Sequence, residues 1–179
     1  FATGLIVNSR FSLDVLASAW PRLRRRSVVV YNGVPGPEQP TPPRERLAGP
    51  VRLLFLGRLS PRKGPQVAVD ALHRLVGDGT DVHLQLLGAV FPGYEWFEAE
   101  LHEQIVRLGL GERVEFLGFD PDIWRRLDGT DIVLVPSTVD EPFGNTAVEA
   151  MLARRPLVVS ETSGLVEASA GYRTAKRVP

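Results

Sequence analysis

Short apolar runs of strand length recur along the chain, each followed by a turn and then a segment whose apolar residues return at helical spacing. "GLIVNS" (4–9) leads into "RFSLDVLASAW" and then "SVVVYNG" (27–33). After a break come "VRLLFLG" (51–57), "VHLQLLG" (82–88), "RVEFLG" (113–118), "DIVLVP" (131–136) and "PLVVS" (156–160). The segments between them, "PQVAVDALHRLVGDG", "WFEAELHEQIVRLG", "PDIWRRLDG" and "NTAVEAMLAR", predict helices. These runs are almost wholly apolar rather than alternating, which predicts parallel strands buried on both faces. Five strands alternating with helices after the break predict an α/β, Rossmann-like, doubly wound parallel sheet.

The break is "VPGPEQPTPPRERLAGP" (34–50), where six prolines prevent regular structure. It divides the chain into three: residues 1–34, a Pro-rich linker at 35–50, and the α/β domain at 51–179. Phe1 is not a natural start, so the chain is expected to be an internal piece of a longer protein.

Composition narrows the chemistry. The 21 basic and 21 acidic side chains balance, so no overall field draws the chain to nucleic acid. Cysteine is absent, which excludes disulfides, thiolate zinc sites and cysteine nucleophiles. The apolar runs are too short to span a membrane.

In doubly wound sheets ligands bind beyond the carboxyl ends of the strands, so the loops there carry the functional reading. "GRLSPRKG" (57–64) matches neither the phosphate-binding loop of P-loop nucleotidases nor the glycine fingerprint of dinucleotide binders. Gly57 permits a sharp turn, and the cations Arg58 and Lys63 suit a diphosphate, the first as a fork and the second as a point charge. A solvated loop with idle charges is the plain alternative.

The loop after "DIVLVP" reads "STVDEPFGNTAVEAML" (137–152). If a helix starts near Gly144 or Asn145, the amides of Gly144, Asn145 and Thr146 form an anion site at its positive end. Glu149 then lies about 6 Å along the axis, the span from a nucleotide's phosphates to its ribose hydroxyls. Glu141, on the other side, faces where a sugar on the phosphate would project. Two glutamates eight positions apart also occur by chance. A glycosidase pair is disfavoured, because eight helical residues give about 12 Å where such enzymes need roughly 5 to 9.5 Å.

"FLGRLSPRKG" followed by "VPSTVDEPFGNTAVEAMLARRPLVVSETSGLVE" closely resembles the retaining family 4 glycosyltransferases of GT-B architecture, whose Glu-x7-Glu signature Glu141 and Glu149 match. The resemblance implies that Arg58 and Lys63 bind the donor diphosphate and stabilise the leaving group, with Gly57 at the donor loop. It implies that Glu141 contacts the transferred sugar, that Phe143, Gly144, Asn145 and Thr146 supply backbone amides, and that Glu149 holds the ribose. "VEFLGF" (114–119) resembles the strand end that contacts the base, through Leu117, Gly118 and Phe119. "LIVNSRFSLDVL" and "VVVYNGV" resemble the last β-α-β unit of the N-terminal domain and the hinge. Two positions depart from the family pattern: Gly88 and Gly93 stand where a Gly-x-Gly is frequent, and Ser163-Gly164 replaces a glycine pair.

The implied activity is a retaining, metal-independent hexosyltransferase using a nucleoside-diphosphate sugar as donor substrate, with no cofactor. The acceptor (glycan, lipid or small molecule) would sit on the remainder of an N-terminal domain, and a complete enzyme would be roughly twice this length. A cytoplasmic location is implied, with peripheral contact at the inner membrane face through Arg22 and Arg24–Arg26 as one option and plain solvation of those cations as the other. Three alternatives remain open from sequence: a nucleotide-binding module inactive by itself, a glycoside phosphorylase of the same architecture, and a dehydrogenase lacking its glycine fingerprint. Asp120-Pro-Asp122 imitates a metal-binding Asp-x-Asp but is expected to cap a helix. His73, His83 and His102 lack ligand spacing, and Trp96 and Trp124 are expected to pack on the sheet.

Overall fold

The computed structural model describes residues 3–179; Phe1 and Ala2, where the expected first segment begins, lie outside the described residues. The chain opens with β1 (Leu5–Val7), α1 (Arg10–Ala19) and β2 (Ser27–Val29), the two strands pairing in parallel. Ser9 caps α1 by accepting the Ser12 N–H.

The larger sheet contains β3 (Val51–Leu56), β4 (Val82–Leu87), β5 (Val114–Gly118), β6 (Ile132–Val135), β7 (Leu157–Ser160) and β8 (Ala175–Val178). Its spatial order is β5-β4-β3-β6-β7-β8, every pair parallel. The helices are α2 (Pro65–Gly77), α3 (Glu95–Arg107), α4 (Ile123–Asp128), α5 (Asn145–Leu152) and α6 (Ser163–Ala168). This is the predicted doubly wound α/β sheet with one strand more than the sequence pattern marked. That strand, β8, is "AKRV" at a sheet edge, too short and too charged to stand out as an apolar run. Its helix α6 has only six residues.

Burial on both faces explains the apolar strands. Leu53 and Phe55 of β3 pack with β4, α2 and α3, while Leu54 turns to the opposite layer with β6, β7, α5 and α6. The chain builds outward from β3 through β4 to β5, then returns to place β6 on the other side of β3. The strand order therefore reverses between β3 and β6, and a crevice opens beyond their carboxyl ends.

The Pro-rich segment has no helix or strand, as its composition predicts, yet it is firmly attached. Arg44 forks onto Asp131, Nε to Oδ1 at 2.7 Å and Nη2 to Oδ2 at 2.5 Å. Asp131 Oδ2 also accepts the Arg52 N–H at 2.8 Å, and the buried Arg155 donates to the Thr41 carbonyl at 2.8 Å. Trp124 packs against the core as expected. Trp96 does not: it is 52% exposed in the first turn of α3, because the neighbouring Phe97 takes the inward position.

Burial pushes the Asp131 carboxyl up, but the Arg44 hydrogen bonds, the Arg52 amide and both guanidinium charges outweigh it and hold it below the usual range. A depressed folded-state value contributes stability that is complete above the unfolded value near 4 and is lost as pH falls through the folded one. Asp131→Ala is expected to lower unfolding free energy by about 2 kcal/mol at neutral pH. Denaturant titrations of both proteins should converge in acid, and equal stabilities at pH 7 would contradict the assignment.

Candidate functional site at the strand-order reversal

The loops after β3 and β6 meet at the reversal. The β3 loop passes through a 3-10 turn at Pro61–Lys63 and ends at Gly64, φ 76°, where α2 begins on Pro65. A Cβ on Gly64 would lie 1.9 Å from the Pro136 carbonyl oxygen, so the two loops approach as closely as glycine allows. Thr138 fastens them, its N–H donating to the Arg62 carbonyl and its hydroxyl to the Pro61 carbonyl, both at 3.0 Å.

This junction sets Lys63 beside Glu141. The ammonium lies 2.8 Å from Glu141 Oε1, off the hydrogen-bond direction, so that oxygen has a counter-charge but no aligned donor. Arg62 adds its Nη2 at 3.5 Å from the same oxygen and donates to the Asp140 carbonyl at 2.5 Å. Glu141 is only 5% exposed, and burial strengthens the pairing. The expected site did not include Arg62. Its signal is that it is the third cation of the same eight-residue loop.

α5 starts at Asn145, as the glycine turn predicts, with Gly144 in a left-handed conformation at φ 102°. A Cβ there would strike Leu165 of α6 at 2.4 Å. Among the described residues, the N–H groups of Gly144, Asn145 and Thr146 have no acceptor within the chain, leaving three donors at the positive helix end. Glu149 is half-buried. Burial pushes its carboxyl up, while the Lys63 charge works in the opposite direction. Lys63 therefore acts on both glutamates of the pair.

α6 holds the Glu141 loop from behind. Gly164 donates to the Glu141 carbonyl at 2.9 Å and has no room for a Cβ, which would lie 2.6 Å from that oxygen. Ser163, at the first position of the family's glycine pair, keeps a left-handed φ of 39° and bonds Asp140 through its hydroxyl. The backbone shape there is thus the one that favours glycine, retained by a serine with a local side-chain anchor.

Arg58 lies elsewhere. Its guanidinium sits over the Phe91 ring, 4.5 Å from the centroid, rather than in an ion pair with Glu141. It borders an apolar cleft of about 410 Å³ whose walls include Leu56, Gly57, Gly88, Phe91, Phe119 and Ile123. The Gly118 carbonyl accepts the Gly88 N–H at 2.8 Å, Leu117 packs inward, and Phe119 stands 78% exposed at the cleft edge.

The N-terminal unit also reaches the site, through residues the sequence reading did not mark. Tyr31 stacks on Phe143, centroids 5.6 Å apart, and Asn32 donates to the Asn145 side chain at 2.8 Å. Ser9 bonds the Pro142 carbonyl. Glu167 of α6 accepts the N–H groups of Arg10 and Phe11 and, at 2.7 Å, the Tyr31 hydroxyl. No local pattern announces these pairs, since each joins residues more than a hundred positions apart.

Asp120 and Asp122 serve α4 as capping groups: Asp122 accepts the Arg125 N–H, and Asp120 accepts from the Asp122 N–H and Arg126. His102 stacks on Phe116 and His83 neighbours Arg113. No helix among the described residues is long and apolar enough to cross a membrane.

Comparison with known proteins gives a consistent picture. The family model for glycosyl transferases group 1 matches residues 42–174. A D-inositol 3-phosphate glycosyltransferase of Mycobacteroides abscessus is 32% identical, covering 99% of this chain and 41% of its own length. An uncharacterized glycosyltransferase of Methanocaldococcus jannaschii is 37% identical over 64% of this chain and 28% of its own. Among solved structures, Anabaena Alr3699/HepE in complex with UDP and glucose superposes with a TM-score of 0.89 at 34% identity, covering 99% of this chain and 50% of that one. The chain thus spans half or less of the length of these three proteins.

Because its raised carboxyl penalises the charged form, Glu149 opposes folding above its unfolded value near 4.3, and the penalty disappears in acid. Glu149→Gln should therefore raise the thermal midpoint at pH 7, with the gain shrinking as pH falls towards 4. Calorimetric scans across that range check the sign, and a lower midpoint at neutral pH would contradict it.

Proposed function

The chain belongs to the group 1 glycosyl transferase family, and we propose that it is the donor-binding half of a glycosyltransferase that moves a sugar from a nucleoside diphosphate to an acceptor with retention of configuration. The observation that carries this reading is the cluster at the strand-order reversal: three unused amides at the start of α5, with Lys63 between two carboxylates beside them. The UDP and glucose bound by HepE make UDP-glucose the first donor to test.

In this reading the diphosphate sits on the amides of Gly144, Asn145 and Thr146 and meets Lys63, which exchanges its Glu141 contact for phosphate oxygens. Arg58, exposed on the cleft rim, swings from the Phe91 ring to the same anion. Glu141, no longer held by Lys63 but still neighboured by Arg62, accepts a hydroxyl of the transferred sugar, and Glu149 accepts the ribose hydroxyls. The apolar cleft beside Gly57, Leu117, Gly118 and Phe119 receives the base.

As the bond from the anomeric carbon to phosphate breaks, its electron pair goes to the leaving oxygen, where the cations and the helix start stabilise the charge. The acceptor hydroxyl attacks the same face of the oxocarbenium-like centre and yields its proton to the departing phosphate. Cations in this role replace a divalent metal, so the activity is proposed to be metal-independent. The acceptor lies largely on the remainder of the N-terminal domain.

Lys63→Ala in the full-length protein should reduce transfer at least about a hundredfold while the fold is retained. Turnover assays with UDP-glucose, with and without EDTA, check this. Near-normal turnover of the variant would remove the diphosphate assignment.

A further inference from the structure

Where the loop after β4 runs into the first turn of α3, Tyr94 and Trp96 form an aromatic pair outside the cleft assigned to the donor base. Tyr94 and Trp96 stack with ring centroids 6.1 Å apart at 27°, and Trp96 meets Phe97 edge-on at 5.7 Å. Phe91, Tyr94 and Trp96 are all substantially exposed, an unusual concentration of large rings for a free surface. Two clefts share Trp96 and Pro61 as walls. One, of about 300 Å³, lies between the rings and Arg58, Ser60 and Arg62. The other, of about 600 Å³, runs down the flank between α2 and α3 past Gln66, Glu100, Glu103, Gln104 and Arg107.

The chemistry of these walls is specific. Flat apolar rings suit the C–H faces of pyranoses, while carboxylates, amides and guanidiniums suit their hydroxyls. Gln66 lines the flank cleft, and its Oε1 has no donor within the chain. The smaller cleft adjoins the proposed donor site: Arg58 and Phe91 line both it and the base cleft, and Arg62, another of its walls, lies 3.5 Å from Glu141. An anionic membrane surface fits poorly: Glu95, Glu98, Glu100 and Glu103 line the same stretch of α3 and would repel it.

The geometry points to a second saccharide site on this domain: the part of a glycan acceptor that extends beyond the N-terminal domain, a chain of hexopyranose units, lies across Trp96 and Tyr94. This rests on the glycosyltransferase reading for the identity of the occupant. The rings supply stacking, Gln66, Glu100 and Glu103 take hydroxyls, and the chain leaves along the α2–α3 flank. The site would make elongation of an existing glycan more favourable than transfer to a single sugar.

Titration of the chain with cellotetraose, maltotetraose and mannotetraose, followed by tryptophan fluorescence and saturation-transfer NMR, tests the site, and UDP calorimetry is run in parallel. At least one tetrasaccharide should bind saturably, Trp96→Ala and Tyr94→Ser should each weaken it about tenfold, and UDP affinity should not change. Val106→Ser, elsewhere on α3, should leave both intact. Absence of binding by all three tetrasaccharides, or equal binding by the Trp96 and Tyr94 variants, overturns the site while intact UDP binding leaves the donor assignment standing. Flotation with vesicles of equimolar phosphatidylcholine and phosphatidylglycerol that depends on Trp96, without tetrasaccharide binding, would assign the patch to a membrane instead and also overturn it.

Discussion

The contact of Gly64 with the Pro136 carbonyl is the constraint on which the site depends. Any side chain at position 64 would meet backbone there, and that backbone is fixed by the pairing of β6 with β3. The close approach lets Lys63 cross from one loop to a carboxylate on the other. It also sets the cation against the buried Glu141 and within charge range of Glu149. A general property of doubly wound sheets, a crevice where strand order reverses, becomes through one glycine a charged cluster of defined composition.

The N-terminal β-α-β unit does more than precede the linker. Its contacts converge on the segment from Glu141 to Asn145: Ser9 on the Pro142 carbonyl, Tyr31 on the Phe143 ring, Asn32 on the Asn145 side chain. Glu167 completes the attachment by capping α1 from outside its own element, and the two amides together with the Tyr31 hydroxyl hold its carboxyl below the usual range despite burial. The segment that carries the unpaired amides is therefore braced from two directions, by α6 behind and by Tyr31 and Asn32 in front. The Arg44–Asp131 fork fixes the Pro-rich segment at the opposite end of the strands.

Much of this was legible in the sequence because it is local. Continuous apolar runs mark buried parallel strands, six prolines mark the linker, and the glycine before Asn145 marks the start of α5. That Lys63 and Glu141 belong to one site, though not that they form an ion pair, could be anticipated because both lie on strand-end loops. What escaped was non-local or balanced by weak forces. β8 escaped because an edge strand needs little apolar character, and Trp96 because one turn of helix decides which of two adjacent aromatic residues faces inward. The resting place of Arg58 on Phe91 depends on a loop conformation that no periodicity encodes. Arg62, Tyr31, Asn32 and Glu167 acquire roles only through partners distant in sequence.

The central claim is that a diphosphate sits on the free amides at the start of α5. Backbone NMR of the chain during titration with UDP addresses it most directly. Saturable shifts of the Gly144, Asn145 and Thr146 amide signals, with one common dissociation constant and matching changes at Glu149, are the expected result. UDP binding that saturates while those three amides stay unmoved would contradict the account.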